Sequence, residues 1–387
     1  MDVRFPVYLD YAATTPIAPQ VIEVMTHYLG INDIFANPSS TQHSLGLQAE
    51  QAVENARTDI ARCLNCNAKD IVFTSGATEA NNLAIKGIAY ANQHKGKHII
   101  TAVTEHKAVL DSCKALEQEG FSVTYLRPDS KGKISLEDIE QAITPQTLLI
   151  SIMQVNNETG YIQDIAAIAE LAQSKNILFH VDAAQAAGKL SIDLSQTPID
   201  LLSISGHKLY APKGIGCLYI RNRKNVSLKP LFNGGGQEYG LRAGTLATHQ
   251  IVAFAKALTL ACENLQQDYD HALTLRNQLL AGLASTNTLL INSDLENSLP
   301  NIVNISFKDI DADMLLVRLQ DDIAISSASA CSSGAIEPSY VLRAMGIEGD
   351  RLYGAVRISF GRFSTTDDIE YAIDKITTTI KALRELL

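Results

Sequence analysis

The sequence predicts an α/β fold in which a large layer built on a mostly parallel sheet joins a smaller α+β domain. Three observations carry this. Between Ile71 and Ser205 short β-rich runs alternate with helical patterns, the order that wraps helices around a parallel sheet. Leu148-Leu149-Ile150-Ser151-Ile152-Met153 is a continuous apolar run, as expected of a strand buried on both faces. After about Gly244 the alternation gives way to long helices and isolated strands, which suits a separate, smaller unit.

In chain order, Ile71 to Thr74 reads as a strand and Thr78 to Ala91 as an amphipathic helix. Lys97 to Val103 is a strand, Ala108 to Glu119 a helix and Phe121 to Leu126 another strand. The run at Leu148–Met153 is followed by a helix near Asp164 to Ser174, then by strands at Ile177–Asp182 and Leu201–Ser205. Thr248 to Asn287 reads as one or two long helices. Ile302–Phe307 and Val356–Phe360 are strands, and Asp311–Gln320 and Thr366–Leu386 are helices. The expected division is a large domain over 15–260 and a small one made of 1–14 and 261–387. No repeat or low-complexity linker interrupts the chain.

A length of 387 residues suits about two to three domains. Hydrophobic residues make up 46% and charged residues 19%, which excludes a disordered chain. The net charge of −10 argues against stable, direct nucleic-acid binding, which needs a basic footprint. No secretory signal and no membrane-spanning run is visible, so a cytoplasmic protein is expected. Its six Cys are then expected to be thiols.

Chemistry gathers at the strand ends. Lys208, in Ser205-Gly206-His207-Lys208, follows one apolar strand, and Asp182 ends another. Open α/β sheets bind ligands at such ends. A lysine and a carboxylate on neighbouring strands are what pyridoxal phosphate requires: an amine for the Schiff base and an acid for the pyridine nitrogen. Thr74-Ser75-Gly76-Ala77-Thr78-Glu79 lies between a strand and a helix. Gly76 allows a tight turn there, and the backbone N–H groups from Ala77 onward aim at an anion. His106 ends a further strand, where an imidazole could stack on the ring and exchange protons. Cys331 sits in Ser326-Ser327-Ala328-Ser329-Ala330-Cys331-Ser332-Ser333-Gly334, too polar and small for a core, and so reads as a nucleophile on a mobile loop. Cys63 and Cys66 form a C-x-x-C without a second pair and read as structural, and no metal is expected. Arg357, inside a late strand, seeks a carboxylate, either a protein Asp or an amino-acid substrate.

With these residues in place the chain resembles the cysteine desulfurases of the IscS/NifS group. The resemblance runs from about Tyr8 to Arg384. It rests on Tyr8-Leu9-Asp10-Tyr11-Ala12-Ala13-Thr14-Thr15-Pro16, Thr74 to Glu79, Val155-Asn156-Asn157-Glu158, Val181 to Gln185, Ser205 to Lys208, and Ser327 to Cys331. The resemblance implies the aspartate-aminotransferase-like fold (fold type I of pyridoxal-phosphate transferases), with a seven-stranded sheet. It also implies pyridoxal 5′-phosphate as cofactor and L-cysteine as substrate. Lys208 would be the Schiff-base lysine, Asp182 would pair with the ring nitrogen and Gln185 with the phenolic oxygen. Ala77, Thr78, Ser205 and His207 would hold the phosphate, joined by Thr245 of a second subunit in a homodimer. Asn157 and Arg357 would bind the substrate carboxylate, with Asn157 also at the cofactor, and His106 would stack on the ring. Through aldimine and ketimine intermediates the sulfur would pass to Cys331 as a persulfide, leaving L-alanine. Asn233 stands where His usually precedes the triple Gly, Tyr239 where Arg follows the Glu, and Ala243 where Ser is common. The acceptor implied is an iron–sulfur scaffold or a tRNA-thiolating enzyme. The alternatives are a selenocysteine lyase, another class V enzyme, or a non-catalytic protein that keeps the fold.

Overall fold

The computed structural model describes residues 6–327 and 338–385. Strand β1 (Val7–Tyr8) leads into helices α1 (Pro19–Thr26) and α2 (Ser44–Leu64). The βα alternation follows as β2 (Ile71–Thr74), α3 (Ala77–Asn92), β3 (His98–Ala102), α4 (Lys107–Gln118) and β4 (Ser122–Leu126). It continues through α5 (Leu136–Ala142), β5 (Thr147–Met153), α6 (Ile165–Ser174), β6 (Leu178–Asp182), β7 (Leu201–Ser205) and β8 (Gly216–Ile220). The expected span from Thr248 resolves into α7 (Thr248–Glu263) and α8 (Leu265–Leu283). The chain ends with β9 (Leu289–Ile291), β10 (Ile302–Phe307), α9 (Ala312–Leu319), β11 (Ile323–Ala324), β12 (Ser326–Ser327), α10 (Tyr340–Ala344), α11 (Asp350–Tyr353), β13 (Val356–Ser359) and α12 (Thr366–Arg384).

The large sheet has seven strands in the order β2-β8-β7-β6-β5-β3-β4. All neighbours are parallel except β8, which runs against both β2 and β7. The mostly parallel seven-stranded sheet expected from the sequence is therefore present. Its strands alternate faces in the way the pleat demands. Ile150, Ile152, Phe179, Val181, Leu202 and Ile204 fill the core on one face. Ile99, Leu149, Leu201 and Leu218 fill the core on the other, beneath α3 and α4. Burial on both faces explains why these strands read as apolar runs rather than as alternating ones.

The second sheet is antiparallel, in the order β12-β13-β10-β9. Helices α8, α9 and α12 cover it around Leu275, Leu279, Leu315, Ile369 and Ile376. Val7 and Leu9 belong to the same core, because β1 pairs parallel with β11. These two strands form a small sheet of their own, from which the N-terminal segment crosses to the large sheet, with Ala12 against Gln185 and Thr15 against His207.

Because β2, β3, β5, β6 and β7 run the same way, their C-terminal ends lie along one edge. Gly216 lets the β2–α3 turn approach that edge closely. A Cβ there would fall 2.3 Å from the Ile204 carbonyl oxygen and 2.8 Å from Gly76 Cα. Among the described residues no helix is long and apolar enough to cross a membrane.

Candidate active site

The shared strand edge and the second sheet enclose a cavity of about 590 Å³. Ten residues singled out from the sequence line it: Ala77, Thr78, His106, Asn157, Asp182, Gln185, Ser205, His207, Lys208 and Arg357. Thr245 is exposed and lies outside this wall. Cys331 lies outside the described residues. Cys63 and Cys66 sit away from the cavity, and burial pushes the Cys66 thiol up to about 12.

Asp182 ends β6 and is held from two sides. Its Oδ1 accepts the Ala184 N–H at 2.9 Å, and its Oδ2 accepts from Asn81 Nδ2 at 2.7 Å. Asn81 is one turn into α3 beyond Ala77 and is fully buried. Lys208 closes the single 3₁₀ turn that follows β7. Gln185, on the turn after β6, is also buried and donates from Nε2 to the Ala12 carbonyl at 2.8 Å.

The N-terminus of α3 opens into the same cavity. Its capping residue is Gly76, at φ +145°, with no side-chain cap. A helix start without a cap leaves its first N–H groups unpaired and carries positive dipole, which together make an anion seat. Glu79, in the same first turn, is turned aside. It accepts from the Ser75 N–H at 2.8 Å and pairs with Arg242 at 2.9 Å, and these contacts hold its carboxyl below its ordinary range despite burial.

His106 caps α4, with Nδ1 accepting the Ala108 N–H at 3.1 Å. The ring is thus a helix cap and also lines the cavity. Because Nδ1 is an acceptor, the proton of the neutral ring sits on Nε2. Burial, and then the charge of Lys208, lower its pKa and favour that neutral ring. His207 Nδ1 lies 3.1 Å from Thr14 Oγ1, and burial with nearby Lys208, Lys213 and Lys189 lowers it to about 4.

Arg357 enters from β13. Its Nη1 donates to the Asn157 carbonyl at 2.8 Å and its Nη2 to Asp10 Oδ1 at 2.8 Å. Of the two partners left open by the sequence, a protein Asp is present, and it is Asp10, supplied by the N-terminal crossing. Arg357 Nε and Asn157 Oδ1 are buried yet have no partner. A buried donor and a buried acceptor left open in the wall of one cavity call for a polar ligand there. Asp10, Asn81 and Lys189 were not singled out from the sequence. Of these only Asn81 carries a local signal, as a polar residue on the buried face of an apolar helix.

These features fit pyridoxal phosphate: an amine and a carboxylate at adjacent strand ends, an uncapped helix start, and an apolar floor at Val155 and Met153. The aminotransferase class-V family model matches residues 7–372. The chain is 51% identical over 384 residues to the cysteine desulfurase IscS of Vibrio vulnificus, covering 99% of this chain and 95% of that one. It belongs to the IscS-type cysteine desulfurases of the class-V aminotransferase family. The enzymes of this family depend on pyridoxal 5′-phosphate, which is this desulfurase's cofactor too. A solved NifS-like protein shares the fold with a TM-score of 0.91 at 37% identity, over 97% of this chain and 99% of that one. SspA, solved in complex with cysteine, shares it with a TM-score of 0.82 at 41% identity, over 92% of this chain and 99% of that one. Among the described residues of this desulfurase, no group of three or more His, Cys, Asp or Glu is placed to hold a metal ion.

Proposed function

We propose that this enzyme takes L-cysteine into the cavity between the two sheets, releases L-alanine, and leaves the sulfur on Cys331 as a persulfide. The observation that carries the reading is the convergence of Lys208, Asp182 and the uncapped start of α3 on the cavity that Arg357 closes from the other sheet. When bound, pyridoxal phosphate supplies the electron sink that lets the substrate Cα lose its proton and the Cβ–S bond break. Lys208 attaches the cofactor and then takes the Cα proton. Asp182, oriented by Asn81 and the Ala184 N–H, would pair with the ring nitrogen. The N–H groups from Ala77 and Thr78 onward, with Ser205 and His207, hold the phosphate. Gln185 would donate to the phenolic oxygen, and Asn157 would meet the cofactor and the substrate carboxylate with its Nδ2 hydrogens, its open Oδ1 being able only to accept from a ligand N–H or O–H. The neutral His106 in the cavity wall would lie against the ring and have its Nε2 hydrogen available for proton steps. Arg357 grips the substrate carboxylate with the donors that Asp10 and Asn157 leave open.

The sulfur step balances without an external oxidant. The Cys331 thiolate forms a bond to the substrate sulfur as that sulfur leaves Cβ with its electron pair directed to the carbon, and Cβ is then protonated. L-cysteine and one thiol become L-alanine and one persulfide. Ser326, five positions before Cys331, lies at the cavity wall. At a maximum of about 3.6 Å per residue, the chain holds Cys331 within roughly 18 Å of it.

The same reading makes the enzyme a cytoplasmic homodimer in which Thr245 of each subunit completes the phosphate seat of the other. Its exposed position on the Gly-rich segment supports that use. The onward acceptor is an iron–sulfur scaffold or a tRNA-thiolating enzyme. The test is one experiment with the purified holoenzyme, L-cysteine and a thiol reductant, assaying alanine and sulfide. Equal amounts are expected. C331S should keep the cofactor chromophore and lose sulfide release. Wild-type desulfuration by C331S, or an unchanged chromophore in K208A, overturns the corresponding assignment.

A further inference from the structure

Behind Gln185, and outside the wall of the main cavity, lies a lysine that the reaction as described does not use. Lys189 Nζ donates to Gln185 Oε1 at 3.0 Å. Lys189 instead lines a second, small cavity on the far side, together with Lys208, Tyr11, Tyr210 and Arg362. It follows Gln185 by one turn's spacing, beyond the sharp Gly188 at φ +71°, so its side chain folds back onto the amide.

The contact has a directional consequence. An ammonium has three donors and no acceptor, whereas a carboxamide has one end of each kind. Lys189 therefore demands the oxygen end of Gln185. At the other end the Ala12 carbonyl, an acceptor only, takes one Nε2 hydrogen at 2.8 Å. Turning the amide over would set NH₂ against an ammonium and oxygen against oxygen. In the observed orientation the second Nε2 hydrogen remains for the cavity, so Gln185 meets a ligand there as a donor.

We propose that Lys189 is a positioning residue that fixes the Gln185 amide with its NH₂ toward the cavity, so that the phenolic oxygen of the cofactor is held as an anion. This rests on the placement of Gln185 at that oxygen in the function proposed above. Lys189 is not a catalytic residue, since it reaches the ligand only through Gln185. Its surroundings suit a tuning role. Burial and the charges of Lys208 and Arg357 draw its ammonium down to about 7, and among the described residues its head group makes one polar bond, to Gln185.

The test uses holoenzyme and reads the chromophore of bound pyridoxal 5′-phosphate, not turnover. In K189M only the Ala12 carbonyl still orients the amide, which can then turn more readily and offer oxygen to the phenolic oxygen. The visible band of the anionic form should fall, and the near-ultraviolet band of the protonated form should rise. The affinity of apoprotein for pyridoxal 5′-phosphate should drop about ten-fold, the order expected for one charge-assisted hydrogen bond. K189R, which keeps a cationic donor, should restore the band. In a Q185A background K189M should have no further effect on the band, because the coupling runs through one amide. An equal band change in both backgrounds overturns the proposal, as does a K189M spectrum identical to wild type. If Q185A itself leaves the band unchanged, the placement of Gln185 fails instead. A lysine that merely fills space would lower the melting temperature of K189M without moving the band, and that result also counts against the proposal.

Discussion

Replacing Arg357 by Lys separates the two things this side chain does. Arg357 is 6% exposed on β13 and spends its fork on the protein, through the Asn157 carbonyl at 2.8 Å and Asp10 Oδ1 at 2.8 Å. Ser326 Oγ sits at 3.4 Å, and Nε is buried without a partner. A guanidinium has donors enough to keep these contacts and still grip a carboxylate in the cavity. A lysine is one compact charge, so it can pair with Asp10 or reach the cavity, but not both. A hydrogen bond to a charged group contributes about 1.5–3 kcal/mol, and about 1.4 kcal/mol is a factor of ten. R357K should therefore lower kcat/KM for L-cysteine by about 10- to 100-fold, mainly by raising KM, with the cofactor chromophore intact. The assay is initial alanine formation against L-cysteine concentration, with the visible spectrum as control. R357A should be worse, because Asp10 then loses its cation as well. A KM for R357K equal to wild type, with normal cofactor content, refutes the carboxylate-binding role.

His106→Gln should keep the chromophore and lower kcat by about 100-fold, the usual scale of a lost acid–base group; an unchanged kcat removes His106 from the proton steps. Glu238→Ala removes the buried partner of the buried Arg57 guanidinium, paired at 2.7 Å, leaving it the exposed Glu54 at 3.1 Å and the Ile71 carbonyl, and should destabilise the fold by about 3 kcal/mol in a denaturant melt. His180 is fully buried between Ser151 Oγ at 2.8 Å and Ser203 Oγ at 2.9 Å, and burial lowers it to about 4. A histidine held neutral in the fold gives stability that is full above its unfolded value near 6.5 and is lost as the pH falls toward 4, by about 3 kcal/mol here. Glu158 acts in the opposite sense, since burial holds its carboxyl up to about 7 and its contribution fades as the pH rises from its ordinary value. The comparison is therefore between wild type and H180Q: the melting temperature of wild type should fall more steeply between pH 6.5 and 4, and parallel curves would show that His180 does not titrate across unfolding.

The site was legible where a polar residue ends an apolar run. Asp182 and Lys208 stand out because the strands before them are buried on both faces and carry no competing charge. The parallel sheet was legible for the same reason. Helix α2 was not, because its buried face is made of Gly46, Ala49, Ala52, Ala56 and Ala61 with only Val53, Ile60 and Leu64 as large apolar residues and the charged Arg57 among them, so its apolar periodicity is faint. Strand β8 follows a Pro-Gly loop and returns antiparallel, which breaks the βα rhythm used to find its neighbours. Asp10 was legible only as part of a motif. Its pairing with Arg357 spans 347 positions and depends on β1 adding to β11, a long-range match that local spacing does not encode. Lys189 was invisible for a different reason, since its significance lies in which end of an amide it faces.

The charge of the cavity also runs against that of the chain. The protein as a whole carries −10, yet Lys208, Lys213 and Arg357 line one pocket, with Lys189 behind it. The carboxylates there are each engaged: Asp10 with Arg357, Glu79 with Arg242 outside the wall, and Asp182 with Asn81 and the Ala184 N–H. The cost appears in the neighbours. His106, His207 and Lys189 are each shifted toward their neutral forms by burial first and by Lys208 second. Like charges gathered in a partly desolvated space repel, and such an arrangement persists only when something else relieves it. An anionic phosphate at the start of α3 and a substrate carboxylate at Arg357 would each do so, at opposite ends of the same cavity. Two anions seated at two ends fix the orientation of what lies between them. In the function proposed above, this would bring the reacting carbon of a bound amino acid to Lys208 without a dedicated clamp on the side chain, whose sulfur must stay free to leave.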